Sequence, residues 1–273
     1  MLTLSKFALT NKINLFGLMA TLFIGQNKVF LPETDSTNSY AISLLKNVNC
    51  PEGTVVYTHN QTAGRGQRGN GWIADPTLNI TLSLVIKPVF LAPKNAFYLS
   101  KITALALYDV LTEILADGQF DIKIKWPNDI LVNSKKIAGV LIENSFSEQQ
   151  INWSVIGLGL NVKQTDFGSL NKSATSLALL GNDESNPDLI SEKFFVFFEK
   201  WYLKLKQNKL TEISDSYHLH LFGIMQLMRF NCNYEEFKAT VKGVNEQGLL
   251  QLVHENGEEK SYDIKSLSFI IHS

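Results

Sequence analysis

Cysteine is scarce in this chain of 273 residues, which contains only Cys50 and Cys232. The two residues lie far apart and form no C-x-x-C pattern, which excludes a zinc or redox motif of that type. They indicate two reduced thiols in a cytoplasmic protein. No group of His, Cys and Asp residues has metal-ligand spacing, and we therefore expect no metal held by the protein itself.

An excess of charge of one sign is also lacking. The chain has 25 Lys and Arg residues against 26 Asp and Glu residues, a formal net charge of -1. Proteins that bind nucleic acid without sequence preference rely on a global basic field, which is absent here. Any anion-binding site must therefore be local. Hydrophobic residues make up 45% of the chain, enough for a folded core rather than a mainly disordered protein.

The longest apolar run near the start, residues 13–24 (INLFGLMATLFI), follows Lys6 and Lys12 as in a signal peptide. It is too short to span a bilayer, and no small-x-small cleavage site follows it. We expect a docked N-terminal segment or a start codon placed too far upstream. Neither alternative implies a membrane partner.

Hydrophobic periodicity predicts strands and helices in alternation. A nearly all-round apolar helix at residues 95–116 implies burial against a sheet. Short strands with glycine turns from Arg229 onward predict a small β-barrel of about 45 residues. The other predicted strands are 29–31, 54–58, 78–86, 121–125, 130–133, 136–144 and 151–160. The other predicted helices are one that ends near residue 46 and two that span about 187–207 and 211–219.

Residues 63–72 (AGRGQRGNGW) place Gly64, Gly66 and Gly69 at the G-x-G-x-x-G spacing of dinucleotide-binding turns. That fingerprint requires the glycines to open a helix and an acidic residue about 20 positions later. Here a strand is predicted to follow, and residues 84–92 contain no Asp or Glu. The spacing alone therefore does not predict NAD binding.

Two arginines, Arg65 and Arg68, stand among these glycines. Glycine allows the backbone to approach an anion closely, and a guanidinium offers a fork of donors to phosphate oxygens. The stretch is thus a candidate phosphate loop. Taken by itself, it is equally explained by a flexible hairpin connection with incidental arginines.

Four motifs decide between these interpretations. KWPNDILVNSKKIAGVLIE at 125–143, AGRGQRGNGW at 63–72, DSTN at 35–38 and IGLGLN at 156–161 occur in the order and with the spacing found in biotin–protein ligases. The chain resembles that family over about residues 30–161, and K-W-P-N-D followed closely by K-I-A-G is highly specific. The terminal barrel is similar to the small SH3-like domain of the family.

The resemblance implies an α+β fold with a mixed-sheet, class II synthetase-like catalytic domain and a C-terminal SH3-like β-barrel. The implied division is an extension at 1–27, a biotin- and ATP-binding domain at 28–224 and the small domain at 225–273. It implies an enzyme that makes biotinyl-5′-AMP and pyrophosphate from biotin and ATP. A lysine of a biotin carboxyl carrier domain then takes the biotinyl group, and Mg²⁺ arrives largely on the triphosphate.

The family match makes Lys125 the first catalytic candidate, because it leaves a strand just before a proline turn and could aim a point charge at the reacting groups. Arg65 and Arg68 are implied to clamp the phosphates and to close the loop over the acyl-adenylate, which excludes water. Without the family, a lysine at a strand end is usually a solvated charge.

The biotin-binding residues implied by the resemblance combine polar contacts for the ureido head with glycines that admit the ring and chain. In isolation, the DSTN motif is better explained as an N-cap of the following helix, and the two roles are compatible. The set is Ser36, Thr37, Asn38, Gln61, Gly64, Arg65, Gly66, Lys125, Gly157 and Gly159.

The implied nucleotide-binding residues include Trp72 for adenine stacking, with a plain hydrophobic anchor as the alternative. Asn128 can instead position its turn, and Lys136 can be a solvated hairpin charge. The set is Arg65, Arg68, Trp72, Lys125, Asn128, Lys136 and Asn161.

The loop departs from the familiar G-R-G-R-R-G-R pattern, since Gln67 and Asn70 replace two arginines. Glutamine can donate hydrogen bonds but cannot neutralise charge. We therefore hypothesise that the closed loop retains the adenylate less tightly than a fully basic loop.

Two rival functions remain open at this point. A ligase for lipoate or another short acid shares the fold, although its glycine run usually ends near His-Asp, and this loop ends in Gly71 and Trp72. A non-catalytic biotin-binding module would have no use for a phosphate clamp. About 35 residues precede the DSTN motif, too few for a winged helix-turn-helix, so we expect no DNA binding. A homodimer is possible through an exposed strand.

Overall fold

The computed structural model describes residues 21–47, 49–69, 71–115, 118–182 and 185–270. Within these ranges the chain forms two sheets and four α-helices. The first part of the chain contains β1 (Lys28–Thr34), α1 (Thr37–Asn47), β2 (Val55–Gln61), β3 (Ile80–Ile86), α2 (Phe97–Ile114), β4 (Ile122–Lys125), β5 (Asp129–Val132), β6 (Lys135–Phe146) and β7 (Ile151–Leu160). It continues with α3 (Pro187–Lys206), α4 (Leu210–Leu219), β8 (Leu227–Cys232), β9 (Glu235–Val244), β10 (Leu250–His254), β11 (Glu259–Tyr262) and β12 (Leu267–Phe269).

The larger sheet has the strand order β1-β2-β3-β7-β6-β5-β4. β1 and β2 run parallel, whereas the remaining neighbours are antiparallel. The sheet is therefore mixed, as the family resemblance implied, and its strands coincide with the predicted apolar segments to within a few residues. The hairpin of β5 and β6 is confirmed, and β7 has the predicted bounds.

Alternation along β3 divides the two faces of the sheet. Ile80, Leu82, Leu84 and Ile86 belong to the main core, which α2 and α3 cover. Val85 belongs to a second, smaller core beneath α1. Polar side chains on that second face, next to α1, are therefore available to line a binding site.

The all-round apolar character of α2 is explained by its position. The helix packs against the sheet, against α3 and against α4, and most of its residues are buried. Even Lys101 of this helix is 1% exposed, with its Nζ donating to Ser214 Oγ at 3.0 Å. Burial lowers the pKa of Lys101 to about 8, although the charge of Glu246 opposes that shift.

The predicted N-terminal segment is docked over the part of it that is described. Ile24 is fully buried, and the backbone amides of Leu22, Phe23 and Ile24 donate to the carboxylate of Glu199 on α3 at 2.6, 2.9 and 3.1 Å. The rest of the apolar run, residues 13–20, lies outside the described residues.

We expect Glu199→Ala to lower the free energy of unfolding by about 2 kcal/mol or more, because three backbone amides lose their acceptor. Denaturant titration followed by circular dichroism measures this. The matched control is Glu192→Ala, which removes an exposed ion pair with Lys28 and should cost less than about 1 kcal/mol. Equal losses in the two variants would contradict the assigned anchoring role.

The C-terminal module is an antiparallel sheet with the order β11-β10-β9-β8-β12. Its five strands occupy the region where an SH3-like β-barrel was expected, and they pair in a linear order with β11 and β12 at the edges, so closure into a barrel stays a prediction. The module packs on the larger domain, since Trp126 Nε1 donates to the carbonyl of Gly248 at 2.8 Å. Gly248 has φ +85°, and a Cβ there would lie 2.4 Å from the Phe97 ring. The boundary between 224 and 225 stays a prediction.

Among the described residues, no helix has the length and apolar character that crossing a membrane requires.

Candidate active site

A pocket of about 220 Å³ opens on the second face of the larger sheet, where β3, β6 and β7 meet α1 and the glycine-rich loop. Most of the predicted site residues share it, although they are distributed over more than a hundred positions of the chain. The predicted site residues that line the pocket are Ser36, Thr37, Asn38, Gln61, Arg65, Gly66, Trp72, Lys125, Asn128, Lys136, Gly157 and Gly159.

The DSTN motif caps α1 and also faces the pocket. Ser36 Oγ accepts from the amide of Ser39 at 3.4 Å, as an N-cap does. The amide of Thr37 donates to Gln61 Oε1 at 2.9 Å, which ties the helix start to the end of β2. The two interpretations of this motif, capping and lining a site, are therefore compatible.

Ser83 is a buried member of the site that the sequence did not predict. Its Oγ lies 2.7 Å from Thr37 Oγ1 and 2.5 Å from Asn38 Oδ1. A hydroxyl has one proton and the amide oxygen only accepts, so Ser83 donates to Asn38 and receives from Thr37. A serine in an alternating strand carries no local signal of such a role.

The other end of the Asn38 amide is equally constrained. Its Nδ2 donates to Glu143 Oε2 at 2.8 Å and to the carbonyl of Leu141 at 3.3 Å. Both neighbours of Nδ2 are acceptors, and Oδ1 faces the Ser83 hydroxyl, which fixes the orientation of the amide. Asn38, 3% exposed, has its polar atoms held by β3 and β6.

Gly157 and Gly159 of β7 were predicted to leave room for the biotin ring. In the structure they make room for side chains of the pocket itself. A Cβ added to Gly157 would lie 2.4 Å from Asn38 Oδ1, and one added to Gly159 would lie 2.2 Å from the Trp72 ring. Trp72 thus lies directly against the β7 backbone.

Gly64 is not among the lining residues. Its carbonyl accepts from the amide of Trp72 at 2.9 Å, and an added Cβ would lie 2.2 Å from the Trp72 carbonyl oxygen. This glycine therefore permits the two ends of the loop to approach each other. Arg65 and Gly71 form a bridge within the same loop. The backbone of Arg68 lies in a single 3-10 turn, and its side chain lies outside the described part of the structure.

Asp129 is a second residue that the sequence did not single out as part of the site. Its Oδ1 lies 2.6 Å from Lys136 Nζ, and its Oδ2 lies 3.4 Å from Lys125 Nζ. Cross-strand pairing in the β4-β5 hairpin places Asp129 opposite Lys125. One carboxylate, with its side chain only 14% exposed, thus holds both lysines at the pocket wall.

The two asparagines predicted on the nucleotide side have structural partners. Asn128 Nδ2 donates to the carbonyl of Val140 at 2.7 Å, in line with the turn-positioning alternative, and the residue still lines the pocket. Asn161 is buried, does not line the pocket and donates to the carbonyl of Thr175 at 2.9 Å. Its contact with nucleotide stays a prediction.

Comparison with known proteins identifies the family of this chain. The sequence model of the Biotin/lipoate A/B protein ligase family matches residues 30–161. A biotin–[acetyl-CoA-carboxylase] ligase from Paracoccus denitrificans is 30% identical over 227 residues, covering 81% of this chain and 92% of that protein. The bifunctional ligase/repressor BirA of Bacillus spizizenii is 32% identical over 250 residues, covering 90% of this chain and 75% of that protein. The chain belongs to the biotin–protein ligase family.

The fold agrees with that of a solved biotin–protein ligase. The structure of the enzyme from Aquifex aeolicus in complex with biotin and ATP matches with a TM-score of 0.74. The match covers 90% of this chain and 99% of that chain at 23% sequence identity. At this identity the comparison establishes the overall fold and not the role of any side chain.

In this biotin–protein ligase family member, the C-terminal domain contributes to the pocket. Leu267, Ser268 and Phe269 of β12 line it, and the Phe269 ring centroid lies 6.0 Å from Lys125 Nζ. Phe269 in turn packs on Phe222 and Phe230. Nothing in the local sequence SLSF signals a role in a ligase pocket that is more than a hundred residues away along the chain.

Proposed function

We propose that this pocket binds biotin and ATP side by side and joins them. The chain is an ATP-dependent biotin–protein ligase, and the pocket has the two chemically distinct ends that the reaction needs. A hydrogen-bonded polar group formed by Thr37, Ser83 and Asn38 lies at one end. Two lysines that share one carboxylate lie at the other. This juxtaposition is the observation that carries the assignment.

The cationic end suits the first half-reaction. A carboxylate is a poor acyl donor until its oxygen becomes a good leaving group, and attack on the α-phosphate of ATP achieves this. Negative charge must then be tolerated in the transition state, which positioned cations provide. Arg65, Lys125 and Lys136 all line the pocket and supply that charge. No covalent enzyme nucleophile is required.

Pyrophosphate leaves, and the resulting mixed anhydride is attacked by the neutral amine of a carrier lysine. The carbonyl carbon of biotin forms an amide bond, AMP departs with the bonding electrons, and the amine loses a proton. We assign the acceptor to a biotin carboxyl carrier domain, following the names of the ligase relatives.

We assign the Trp72 ring to a stacking contact with adenine. It lies against Gly159, with Lys136 Nζ 5.7 Å from the ring centroid. Its Nε1 is buried and has no hydrogen-bond partner among the described residues. An indole N–H in that state is available to a ligand acceptor, so we favour the nucleotide contact over the plain hydrophobic anchor.

Mg²⁺ fits this site only as a companion of the triphosphate. The described residues contain no group of three or more His, Cys, Asp or Glu side chains that could hold an ion. The only carboxylate lining this pocket, among the described residues, is Asp129, and it already faces two ammonium groups. Mg²⁺ usually keeps several waters and binds through phosphates, where it neutralises their charge.

Two observations support a cytoplasmic location. The proposed reaction requires ATP, and Cys50 and Cys232 are free thiols. The expectations that the chain does not bind DNA and can form a homodimer stay predictions.

The proposed function is tested by mass spectrometry of the products formed with Mg-ATP and equal concentrations of biotin, lipoate and octanoate. Biotinyl-AMP alone is the expected product, and adding a carrier domain should then convert it to a biotinylated lysine. The family model that matches the chain also includes lipoate ligases. A lipoyl or octanoyl adenylate would therefore move the protein to that branch, and no adenylate would favour a binding module.

Gln67 lines the pocket within the glycine-rich loop, which keeps the sequence hypothesis about adenylate retention open to test. We expect Gln67→Arg to slow release of free biotinyl-AMP by about tenfold, because a charge-assisted bond to phosphate replaces a neutral one. Release is measured by rapid filtration after single-turnover synthesis. Gln67→Met controls for side-chain length. Unchanged or faster release in the arginine variant would show that the loop holds the adenylate by other means.

A further inference from the structure

Glu143, on β6, joins two lining residues of the pocket, Asn38 and Arg65, through a single oxygen atom. Its Oε2 accepts from Asn38 Nδ2 at 2.8 Å and from Arg65 Nη2 at 2.9 Å. Asn38 belongs to α1 and Arg65 to the glycine-rich loop, so one carboxylate joins three separate segments. Glu143 is not itself a lining residue of the pocket.

The contact continues the hydrogen-bond chain of the polar end. Thr37 donates to Ser83, Ser83 donates to Asn38, and Asn38 donates to Glu143. Consecutive bonds with one donor direction polarise one another, and a charged acceptor at the end strengthens the series. A displacement of Glu143 therefore disturbs the orientation of the Asn38 amide as well as the arginine.

Arg65 retains donors for a substrate while Glu143 holds it. A guanidinium has five N–H groups in a fixed plane, and Arg65 contacts Glu143 through Nη2. The remaining donors can address a carboxylate or phosphate in the pocket, which Arg65 lines. The side chains of Arg65 and Glu143 are 45% and 29% exposed, so the pair lies at the pocket rim rather than in the core.

We propose that Glu143 is a positioning residue for adenylate formation, which holds the Arg65 guanidinium in place for the reacting carboxylate and phosphate while it fixes Asn38. The inference rests on the proposed function. Glu143 acts through Arg65 and Asn38 and does not touch the reacting atoms. Its carboxylate charge, and not only its hydrogen-bonding capacity, is what orders an arginine on a glycine-rich loop.

A double-mutant cycle tests this proposal. Glu143→Gln preserves size and one acceptor but removes the charge. We expect it to lower kcat/KM for biotin in adenylate formation about tenfold, and to change the same quantity less than twofold in an Arg65→Ala background. Where Arg65→Ala turns over too slowly, biotin affinity from calorimetry completes the cycle. Glu236→Gln is the matched control, since it removes a Glu–Arg pair of 2.8 Å on the C-terminal sheet.

Each outcome is decisive. Equal effects of Glu143→Gln with and without the Arg65 side chain, or no effect of Glu143→Gln in the otherwise unchanged protein, would overturn the positioning role. If Glu143→Gln fails to fold, Glu143→Asp replaces it. The shorter side chain keeps the charge but cannot reach both partners, and a similar loss that depends on Arg65 is expected. Failure of the unmodified chain to form biotinyl-AMP would instead refute the proposed function, because that measurement does not involve Glu143.

Discussion

Lys125→Ala is expected to reduce biotinyl-AMP formation at least about 100-fold, because a positioned charge is lost where negative charge develops. Biotin affinity should stay within about threefold of that of the unchanged protein, since our proposal has biotin also contact the polar end of the pocket. Lys125 Nζ lies 3.4 Å from Asp129 Oδ2, and its side chain is 23% exposed. The ammonium group is therefore held, yet open to the pocket. Pyrophosphate release measures the chemical step, and calorimetry measures biotin binding.

The matched comparison for this variant is Lys136→Ala, which removes the other cation bound to Asp129. Lys136 lies beside the Trp72 ring, so we expect its loss to raise KM for ATP more than it lowers kcat. A Lys125→Ala protein that lost biotin binding but retained turnover would refute the catalytic assignment. A loss of biotinyl-AMP formation in Lys136→Ala, with no loss in Lys125→Ala, would also refute it.

Gly157→Ala is expected to weaken biotin binding by about 10- to 100-fold, the range that overpacking of a tight site produces. The added Cβ would lie 2.4 Å from Asn38 Oδ1, the atom that accepts from Ser83 at 2.5 Å. Asn38 must then move, and both Ser83 and Glu143 lose a partner. Isothermal titration calorimetry with biotin measures the effect, and a thermal melt checks that the variant folds.

Gly71→Ala provides the control for that experiment. Gly71 lines the same pocket, but the nearest heavy atom to an added Cβ there is 3.7 Å away, an ordinary contact. We expect its biotin affinity to change less than threefold, because nothing has to move. If the two alanine variants bind biotin equally well, the tight fit between β7 and Asn38 has no part in recognition.

Much of the fold could be read from the sequence, because local patterns were unambiguous. Residues 151–160 predict β7 from strand composition, and residues 95–116 predict α2 from all-round hydrophobicity, which only a helix between layers satisfies. The boundaries of β3 and α2 differed by about two residues, which is the usual uncertainty of helix and strand ends.

The sequence predicted the site less completely than the fold. Motifs placed Thr37, Asn38, Lys125 and Lys136 in one pocket, and the structure brings them together. Asn161 belongs to a motif as well, yet it is buried, donates to the carbonyl of Thr175 and does not line the pocket, so its contact with nucleotide stays a prediction. A motif marks positions that a fold requires, and it does not separate residues that face a ligand from residues that support the loop beside it.

The sequence by itself determined the family, the order of strands and helices and the four motifs, because these depend on residues near one another in the chain. Only the tertiary structure decided that Ser83 orients Asn38 and that Glu143 joins Asn38 to Arg65. It also decided that the Phe269 ring lies beside Lys125. These contacts join residues that are 45, 105, 78 and 144 positions apart in the chain. A serine, a glutamate and a phenylalanine of ordinary strands acquire such roles only when the strands pair, since sheet register selects which side chains meet.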